Sequence, residues 1–333
     1  MLANRLRFIL LAILVFSLVG CQPAATAADP AADGALKVTV SIGPQAYLVR
    51  QLAGELASVS VMVPAGADVH TFEPSPRQMR SLADADLYLT IGEHFETVWM
   101  DRFLEINPQM RVVDISEGIE RIPVAQGVQH TEEHADGEHA DGVHADEEHA
   151  DEEHADEVHS EDEHGDAHDH GGLDPHIWLS PRLMKQLAEA TRAALAEADP
   201  AHAEHYATAC AGLLNEIDTL DAEIRATLEP LPRQRFLVFH PSWGYFARDY
   251  GLEQISIEVD GQEPSAAELA QVIALARAEG IRVVIAQPEF STRSAETIAQ
   301  EIDGEVLLAS PLAEDWMDNM RRVTETFARA LEQ

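Results

Sequence analysis

The chain has 333 residues, of which 59 are Asp or Glu and 22 are Lys or Arg, so its formal net charge at pH 7 is −37. This acidity argues against nucleic acid as a partner and is compatible with a cationic ligand. The length, less a leader and a long acidic insertion, suffices for two medium-sized α/β domains.

The N-terminus has the pattern of an export signal. Two arginines precede an apolar run, 8–19, that is too short to span a membrane. The run ends in Leu-Val-Gly-Cys21, which resembles a bacterial lipobox whose cysteine becomes lipidated; ordinary cleavage near Ala27 is the alternative. We expect a signal peptide over 1–20, lipidation at Cys21 and a tether over 21–35, so that acyl chains alone hold the protein on a membrane face.

Strands and helices alternate along the next part of the chain. Buried strands are predicted at 36–41, 58–63, 87–91 and 111–115, and helices at 45–53 and 77–83. Strands separated by helices indicate a parallel sheet covered on both faces. We assign 36–199 to an N-terminal α/β lobe.

A histidine-rich, acidic insertion interrupts this lobe over 125–172. Between His130 and His170 the chain holds ten of its sixteen histidines and eighteen Asp and Glu residues, with no Lys or Arg. Such a segment cannot bury enough apolar surface to offset the entropy of ordering, so we expect disorder without metal. Because histidine recurs at every fifth position from His134 to His154, a weak metal-collecting loop is favoured over a merely solvated insertion.

A long helix and a second α/β pattern complete the chain. Apolar residues recur at three- and four-residue spacing over 200–230, which predicts a linking helix about 40 Å long with Cys210 on its buried face. Strands are predicted at 235–239, 252–257, 283–286 and 306–308, and helices at 265–279 and 313–331. These form a C-terminal lobe, 231–333. The predicted fold is α/β, with two lobes joined by one long linking helix and a ligand site in the interlobe cleft.

Six histidines lie outside the insertion: His70, His94, His176, His202, His205 and His240. Three of them, His70, His176 and His240, stand in turns at the ends of elements, where a side chain can point into a cleft. His202 and His205 lie on the predicted linking helix and are expected on its surface. Three loop histidines distributed over two lobes indicate a metal site.

Several segments resemble the metal-binding lipoproteins of bacterial ABC importers for zinc and manganese. They are Pro64-x-Gly-x-Asp-x-His70, Asp174-Pro-His176-Ile-Trp-Leu-Ser-Pro, Phe239-His240-Pro-x-Trp-Gly and the stretch from Gln287-Pro-Glu-Phe to Pro311-Leu. The resemblance covers nearly all of the mature chain, and the insertion stands where the zinc members carry theirs. It implies that His70, His176 and His240 bind the metal directly.

The fourth ligand position departs from part of that family. Manganese members have Glu where His240 stands and Asp before the final Pro-Leu, whereas this chain has Ser310 there. A hydroxyl is a poor ligand, which leaves the position to water or to His94, Glu263 or Asp315. Three imidazoles favour tetrahedral Zn²⁺, with bonds of roughly 2.0–2.1 Å, over Mn²⁺, which prefers more oxygen ligands.

The resemblance implies a monomeric receptor that captures Zn²⁺ outside the cytoplasmic membrane and delivers it to an ABC permease and its ATPase. It implies a lipid-anchored protein on the periplasmic or extracellular face of a bacterial membrane, and no enzyme activity. The alternatives are a receptor for manganese or another divalent metal, a metal-binding adhesin or metallochaperone of the same fold and, remotely, a zinc hydrolase. Against the hydrolase, the sequence contains no His-Glu-x-x-His pair.

Overall fold

The computed structural model describes residues 34–69, 71–124, 172–258, 262, 264–289 and 291–332. The predictions made for Cys21, His70, Glu263, the signal peptide and the insertion up to residue 171 lie outside the described residues. The chain divides into two units, Met1–Ala35 and Leu36–Gln333, and every element below belongs to the second. Within the described ranges, no helix combines the length and apolar character that crossing a membrane requires.

The first lobe is built on a parallel sheet. Its described strands are β1 (Leu36–Val40), β2 (Ala57–Val61), β3 (Leu87–Thr90) and β4 (Arg111–Asp114), and the helices are α1 (Gly43–Ala53), α2 (Pro76–Leu82) and α3 (His94–Ile106). The strand order is β2-β1-β3-β4. The sequence analysis missed α3, which has Glu93 at its N-cap in place of the usual Ser, Thr, Asp or Asn signal.

Two long helices follow the histidine-rich insertion. Helix α4 (Pro181–Ala198) begins at Ser180, whose hydroxyl accepts a hydrogen bond from Leu183 N at 3.1 Å. A 3₁₀ turn at Pro200–His202 then leads into α5 (Ala203–Leu228), the predicted linking helix. Its α-helical part starts three residues later than predicted, after this turn.

The second lobe repeats the strand order of the first. Its described strands are β5 (Arg235–Val238), β6 (Glu253–Ser256), β7 (Val283–Ala286) and β8 (Glu305–Leu308), and the helices are α6 (Gly244–Tyr250), α7 (Ala266–Glu279), α8 (Arg293–Glu301) and α9 (Trp316–Glu332). The strands are parallel in the order β6-β5-β7-β8. The sequence analysis missed α6 and α8, which have seven and nine residues and are too short for a clear helical period.

The hydrophobic core runs through both lobes. Helix α5 packs against α1 and α4 of the first lobe and against α9 of the second. Its buried residues recur at helical spacing: Tyr206, Cys210, Leu213, Ile217, Leu220, Ile224 and Leu228. Strand β5 alternates, with Phe236 and Val238 in this shared core and Leu237 in a second cluster that includes residues of α7 and α8. The predicted α/β fold class with its linking helix is confirmed.

Close contacts join the lobes near the carboxyl ends of their strands. Trp178 Nε1 donates to Pro311 O at 2.7 Å, and Trp316 Nε1 donates to Trp178 O at 2.8 Å. A Cβ atom at Gly43, the first residue of α1, would lie 2.5 Å from Leu312 O, so only glycine allows this approach. These contacts bring the loops after the two sheets together.

Candidate metal centre

Two of the three predicted ligands meet between the lobes. His240 follows β5, whose end is fixed by Phe239 N donating to Ile285 O at 2.9 Å. His176 lies just before a 3₁₀ turn, Ile177–Leu179, that leads into α4. The two ring centroids are 5.4 Å apart, with the ring planes at 76°. The side chains are 7% and 10% exposed, so a ligand that reaches both has the size of an ion.

A buried carboxylate holds the Nδ1 atom of each imidazole. Asp174 Oδ1 lies 2.8 Å from His176 Nδ1 and also accepts a hydrogen bond from His176 N at 2.9 Å. Glu258 Oε2 lies 2.6 Å from His240 Nδ1. An ionised carboxylate only accepts, so each Nδ1 carries the hydrogen and Nε2 is the ring nitrogen that carries a lone pair. Carboxylate–histidine pairs of this kind orient metal ligands and raise their basicity.

The sequence analysis did not single out these carboxylates. Glu258 comes two residues after β6, the neighbour of β5 in the sheet, and Glu258 N donates to Phe239 O at 3.0 Å. Neighbouring parallel strands end at the same edge, so the spacing of Glu258 after its strand was an available signal. Asp174 stood inside the Asp-Pro-His motif, but its contact with His176 depends on the turn between them.

Asp174 is fixed by contacts from both lobes. Its amide donates to Ile122 O at 2.8 Å, and its carbonyl accepts a hydrogen bond from the Tyr245 hydroxyl at 2.8 Å. The same hydroxyl accepts from Ile122 N at 3.2 Å. A Cβ at Gly244 would lie 2.6 Å from Asp174 Oδ2, which is buried and has no hydrogen-bond partner among the described residues.

The two ends of the insertion are attached beside this carboxylate. Pro123 and Leu173 form an antiparallel bridge, and Val124 N donates to Gly172 O at 3.2 Å. The last described residues before the insertion and the first after it are therefore paired, one residue from Asp174. The histidine-rich segment thus begins and ends next to the group that orients His176.

Glu93 is a buried carboxyl group that lies within electrostatic range of His240. Its pKa is raised to about 8, mainly by burial and also by the negative charge of Glu96, while Arg121 and His240 act in the opposite direction. Its Oε1 atom has no hydrogen-bond partner in the described part of the chain. The neighbouring His94, a candidate from the sequence, is exposed. Of these two neighbours, Glu93 is buried and His94 is exposed.

The other candidates for the fourth position lie elsewhere. Asp315 is exposed and pairs with Arg322, at 2.8 Å between Oδ2 and Nη2. The Ser310 hydroxyl donates to Glu289, whose carboxyl pKa is raised by burial. Surface histidines behave as predicted: His202 and His205 are exposed on and before α5. Among the described residues, which exclude His70, no three His, Cys, Asp or Glu side chains already form a metal-sized cluster.

Two cavities in the C-terminal lobe do not include the histidine pair. One of about 620 Å³ lies between β8 and α9, and one of about 410 Å³ lies beside the start of β5 and the end of α7. Neither is lined by His176 or His240. The histidine pair is thus a buried set of nitrogen donors rather than part of either open pocket.

Comparisons with known proteins all point to one family. Residues 38–330 match the model of a family described as ZnuA, zinc-uptake complex component A, periplasmic. The zinc-binding protein AdcA of Streptococcus pyogenes is 28% identical over 307 residues, covering 89% of this chain and 56% of that protein. The high-affinity zinc uptake system protein ZnuA of Bacillus subtilis is 28% identical over 271 residues, covering 80% and 75%. The chain spans only about half the length of AdcA.

Solved structures share the fold. A crystal structure of a zinc-bound ZnuA deletion mutant is 37% identical, with a TM-score of 0.74 over 90% of this chain and 99% of that one. The laminin-binding protein Lmb of Streptococcus agalactiae, described as having adhesin and metal-transporting activity, has a TM-score of 0.70 over 89% of this chain and 99% of its own. At 21% identity, Lmb is similar in fold alone.

Proposed function

We propose that this chain, which belongs to the family described as zinc-uptake complex component A, periplasmic, is a receptor that captures Zn²⁺ outside the cytoplasm for import. The observation that carries the proposal is the pair of buried imidazoles, one from each lobe, each held at Nδ1 by a carboxylate. This arrangement offers two imidazole nitrogen atoms to a bound ion. The relatives named as zinc-binding or zinc-uptake proteins support the choice of metal.

In this proposal His70, His176 and His240 are the metal ligands, the latter two through Nε2. The carboxylates of Asp174 and Glu258 keep the imidazoles oriented before metal arrives, which reduces the ordering cost of binding. Three nitrogen donors in a tetrahedral site favour Zn²⁺ over Mn²⁺.

Capture and release work in this proposal through local movement. The indole hydrogen bonds of Trp178 and Trp316 and the continuous core leave little freedom for wide closure of the lobes. His176 and His240 are nearly buried, so a metal ion reaches them only when the loops that carry them move. These loops lie beside the paired ends of the insertion, Pro123 and Leu173. Release to a permease would begin with the same loops.

The remaining parts of the proposal concern the cell. We assign the protein to the outer side of the cytoplasmic membrane, held by lipid on Cys21, as a monomer that serves an ABC permease and its ATPase. The relative named as a zinc-binding lipoprotein supports the anchor. The histidine-rich insertion, 125–172, acts as a weak collector that raises the local zinc concentration. We assign no catalytic activity, since receptors of importers transfer a bound ion unchanged.

The test is zinc affinity measured by competition with a chromophoric chelator. We expect one tight site in the full chain and in a variant lacking 131–169, which loses only weak sites. Each of His70→Ala, His176→Ala and His240→Ala should weaken the tight site by roughly two orders of magnitude or more. The matched control is His202→Ala, because His202 also contacts a carboxylate, Asp199, at 2.6 Å but on the surface.

Two results would contradict the proposal. One is loss of the tight site on deletion of 131–169, which would move the tight site into the insertion. The other is tight zinc binding by both His176→Ala and His240→Ala. Parallel titration with Mn²⁺ tests the metal, and tighter binding of Mn²⁺ than Zn²⁺ would favour the manganese alternative. Turnover of an ester or peptide by the zinc-loaded protein would favour the hydrolase.

A further inference from the structure

Helix α6 lies between the two segments that carry the buried histidines. It begins four residues after His240, and it packs against the 3₁₀ turn Ile177–Leu179, which follows His176 directly. Tyr245 and Asp249 are four residues apart on α6, so their side chains leave the helix on the same face. Both of them contact the segment of His176.

Tyr245 holds this segment before His176, as described above, and Asp249 holds it after His176. Ser180, four residues after His176, donates its hydroxyl hydrogen to Asp249 Oδ2. Ser180 is fully buried, and the side chain of Asp249 is 3% exposed. The same hydroxyl accepts a hydrogen bond from Leu183 N at 3.1 Å, which caps α4. A hydroxyl has a single hydrogen to donate, and Ser180 gives it to Asp249.

Arg248 holds the second oxygen of the Asp249 carboxylate. Arg248 Nε and Nη2 donate to Asp249 Oδ1 at 3.1 and 2.9 Å, and the guanidinium carbon lies 5.1 Å from the centroid of the Tyr245 ring. Arg248 thus links the two residues that contact the His176 segment and supplies the counter-charge that a buried carboxylate requires. The backbone of Asp249 is attached to α5, because Arg225 Nη2 donates to Asp249 O at 3.4 Å.

The polar character of this contact has a physical consequence. A buried carboxylate with its partners adds little stability compared with an apolar side chain of similar size, because the cost of desolvation offsets most of the attraction. Its hydrogen bond to Ser180 is directional, whereas apolar contacts are not. The contact therefore determines where the His176 segment stands relative to α6, more than how strongly the two pack.

We propose that Asp249 and Ser180 are positioning residues of the metal site; this rests on the function proposed above. Their hydrogen bond fixes the segment of His176 relative to α6 and so relative to His240, whose loop leads into that helix. The segment is attached to α6 on both sides of His176, so the two imidazoles keep their separation of 5.4 Å before metal arrives. Less ordering then remains to be done when the ion binds.

The experiment compares three variants of the full-length protein. Asp249→Leu removes the acceptor and keeps a branched side chain, and Ser180→Gly removes the hydroxyl but keeps a residue that helix N-caps tolerate. Asp249→Asn keeps an oxygen that can accept from Ser180. We expect the first two variants to lower zinc affinity by about tenfold in chelator competition and to alter the visible absorption of bound Co²⁺. Asp249→Asn should stay within about threefold of the wild-type affinity and keep the wild-type spectrum.

Tyr206→Phe is the matched control. It also loses a hydrogen bond from a hydroxyl to a carboxylate, that of Asp199 at 2.7 Å, which involves neither His176 nor His240. In urea unfolding it should lose stability while keeping the wild-type zinc affinity and Co²⁺ spectrum. A variant with both Ser180→Gly and Asp249→Leu should bind zinc no more weakly than Asp249→Leu alone, because both changes remove the same bond. Near-ultraviolet circular dichroism of the metal-free variants shows which of them are folded.

The outcomes separate this inference from the proposed function. Wild-type affinity and an unchanged Co²⁺ spectrum in folded Asp249→Leu or Ser180→Gly would overturn the inference. An equal loss of affinity in Asp249→Asn or in Tyr206→Phe would also overturn it, since affinity would then not follow the hydrogen bond. If His176→Ala loses the tight site while Asp249→Leu binds as wild type, the receptor proposal stands and only the positioning role is wrong. If His176→Ala and His240→Ala bind zinc normally, the proposed site is wrong and the positioning role falls with it.

Discussion

The histidines of this chain differ in what holds their Nδ1 atoms. His176 and His240 are nearly buried and each contacts a buried carboxylate, whereas His202 makes the same kind of contact with Asp199 at the surface. Burial excludes water and keeps the orientation fixed, so the same pair of chemical groups gives a proposed metal ligand in one place and a surface contact in another.

This difference gives a prediction about the orienting carboxylates. Asp174→Ala and Glu258→Ala should each lower zinc affinity by about 10- to 100-fold, because the imidazole they orient becomes free to rotate and loses basicity. The measurement is competition with a chelator at pH 7.5. Asp199→Ala is the matched control and should leave the affinity unchanged. Equal effects in all three variants would mean that the carboxylates act through general stability.

Glu93 gives a prediction about pH. Its pKa is about 8 in the folded protein against an ordinary value of 4.5, so the folded state binds the extra proton between these values. Stability of the metal-free protein therefore falls as pH rises from about 4.5 to 8, and the full cost is present above 8. Glu93→Gln removes it, and should be more stable than wild type at pH 8 by up to a few kcal/mol, at roughly 1.4 kcal/mol per pKa unit.

Urea unfolding of the metal-free wild type and Glu93→Gln at pH 5 and pH 8 measures this effect. The stability difference between the two proteins should be small at pH 5 and larger at pH 8. A difference that does not grow with pH would show that Glu93 is neutralised by another group of the protein.

At the level of elements, α6 connects the segments that carry the two histidines. This seven-residue helix follows His240 and carries Tyr245, whose hydroxyl bridges Ile122 N and Asp174 O. The start of α6 lies so close to the Asp174 carboxylate that only Gly244 fits. A short helix of the second lobe thus positions Asp174, which orients His176 in the first lobe. Asp174 also lies next to both ends of the insertion.

Tyr245→Phe tests this link. Two backbone groups, Ile122 N and Asp174 O, lose their partner, so we expect a loss of about 1–3 kcal/mol in stability and a zinc affinity lower by about tenfold. The control is Tyr250→Phe on the same helix. This variant loses the 2.8 Å hydrogen bond from the Tyr250 hydroxyl to Asp221, which involves neither histidine. Chemical denaturation and chelator competition should show a stability loss in both variants and an affinity loss only in Tyr245→Phe.

At the level of the whole molecule, the two lobes share one core. Helix α5 contributes its buried face to both sides, and the cluster of buried side chains continues from the first sheet to β5, β7 and α9. Indole hydrogen bonds join the lobes at the cleft. Such a molecule should unfold as one unit and bind its ion without a large change of shape.

Calorimetry and small-angle scattering test this expectation. The metal-free protein should show a single unfolding transition, and zinc at about 100 times its Kd should stabilise it by about 2.7 kcal/mol without changing the radius of gyration. His176→Ala should unfold in the same single transition but lack most of the zinc shift. Two transitions, or a clear contraction on zinc binding, would indicate that the lobes move as independent bodies.

The sequence alone determined the fold class and identified the histidines to be tested as ligands. Strands and helices depend on local periodicity, which predicted the eight strands among the described residues of the two lobes and the buried face of α5. The turn motifs around His176 and His240 marked them as loop residues at the ends of elements, and the structure brings these two together. The domain limits and the metal-binding roles of His70, His176 and His240 stay predictions.

The tertiary structure decided which carboxylates serve those histidines. Glu258 reaches His240 because β5 and β6 are neighbours that end at one edge, and strand order is not a local property. Glu93 is buried and His94 is exposed at the start of α3, next to Gly92 with φ +82°, a difference that sequence spacing does not reveal. Chain periodicity determines which elements form, whereas the packing of their ends determines which polar groups are buried together.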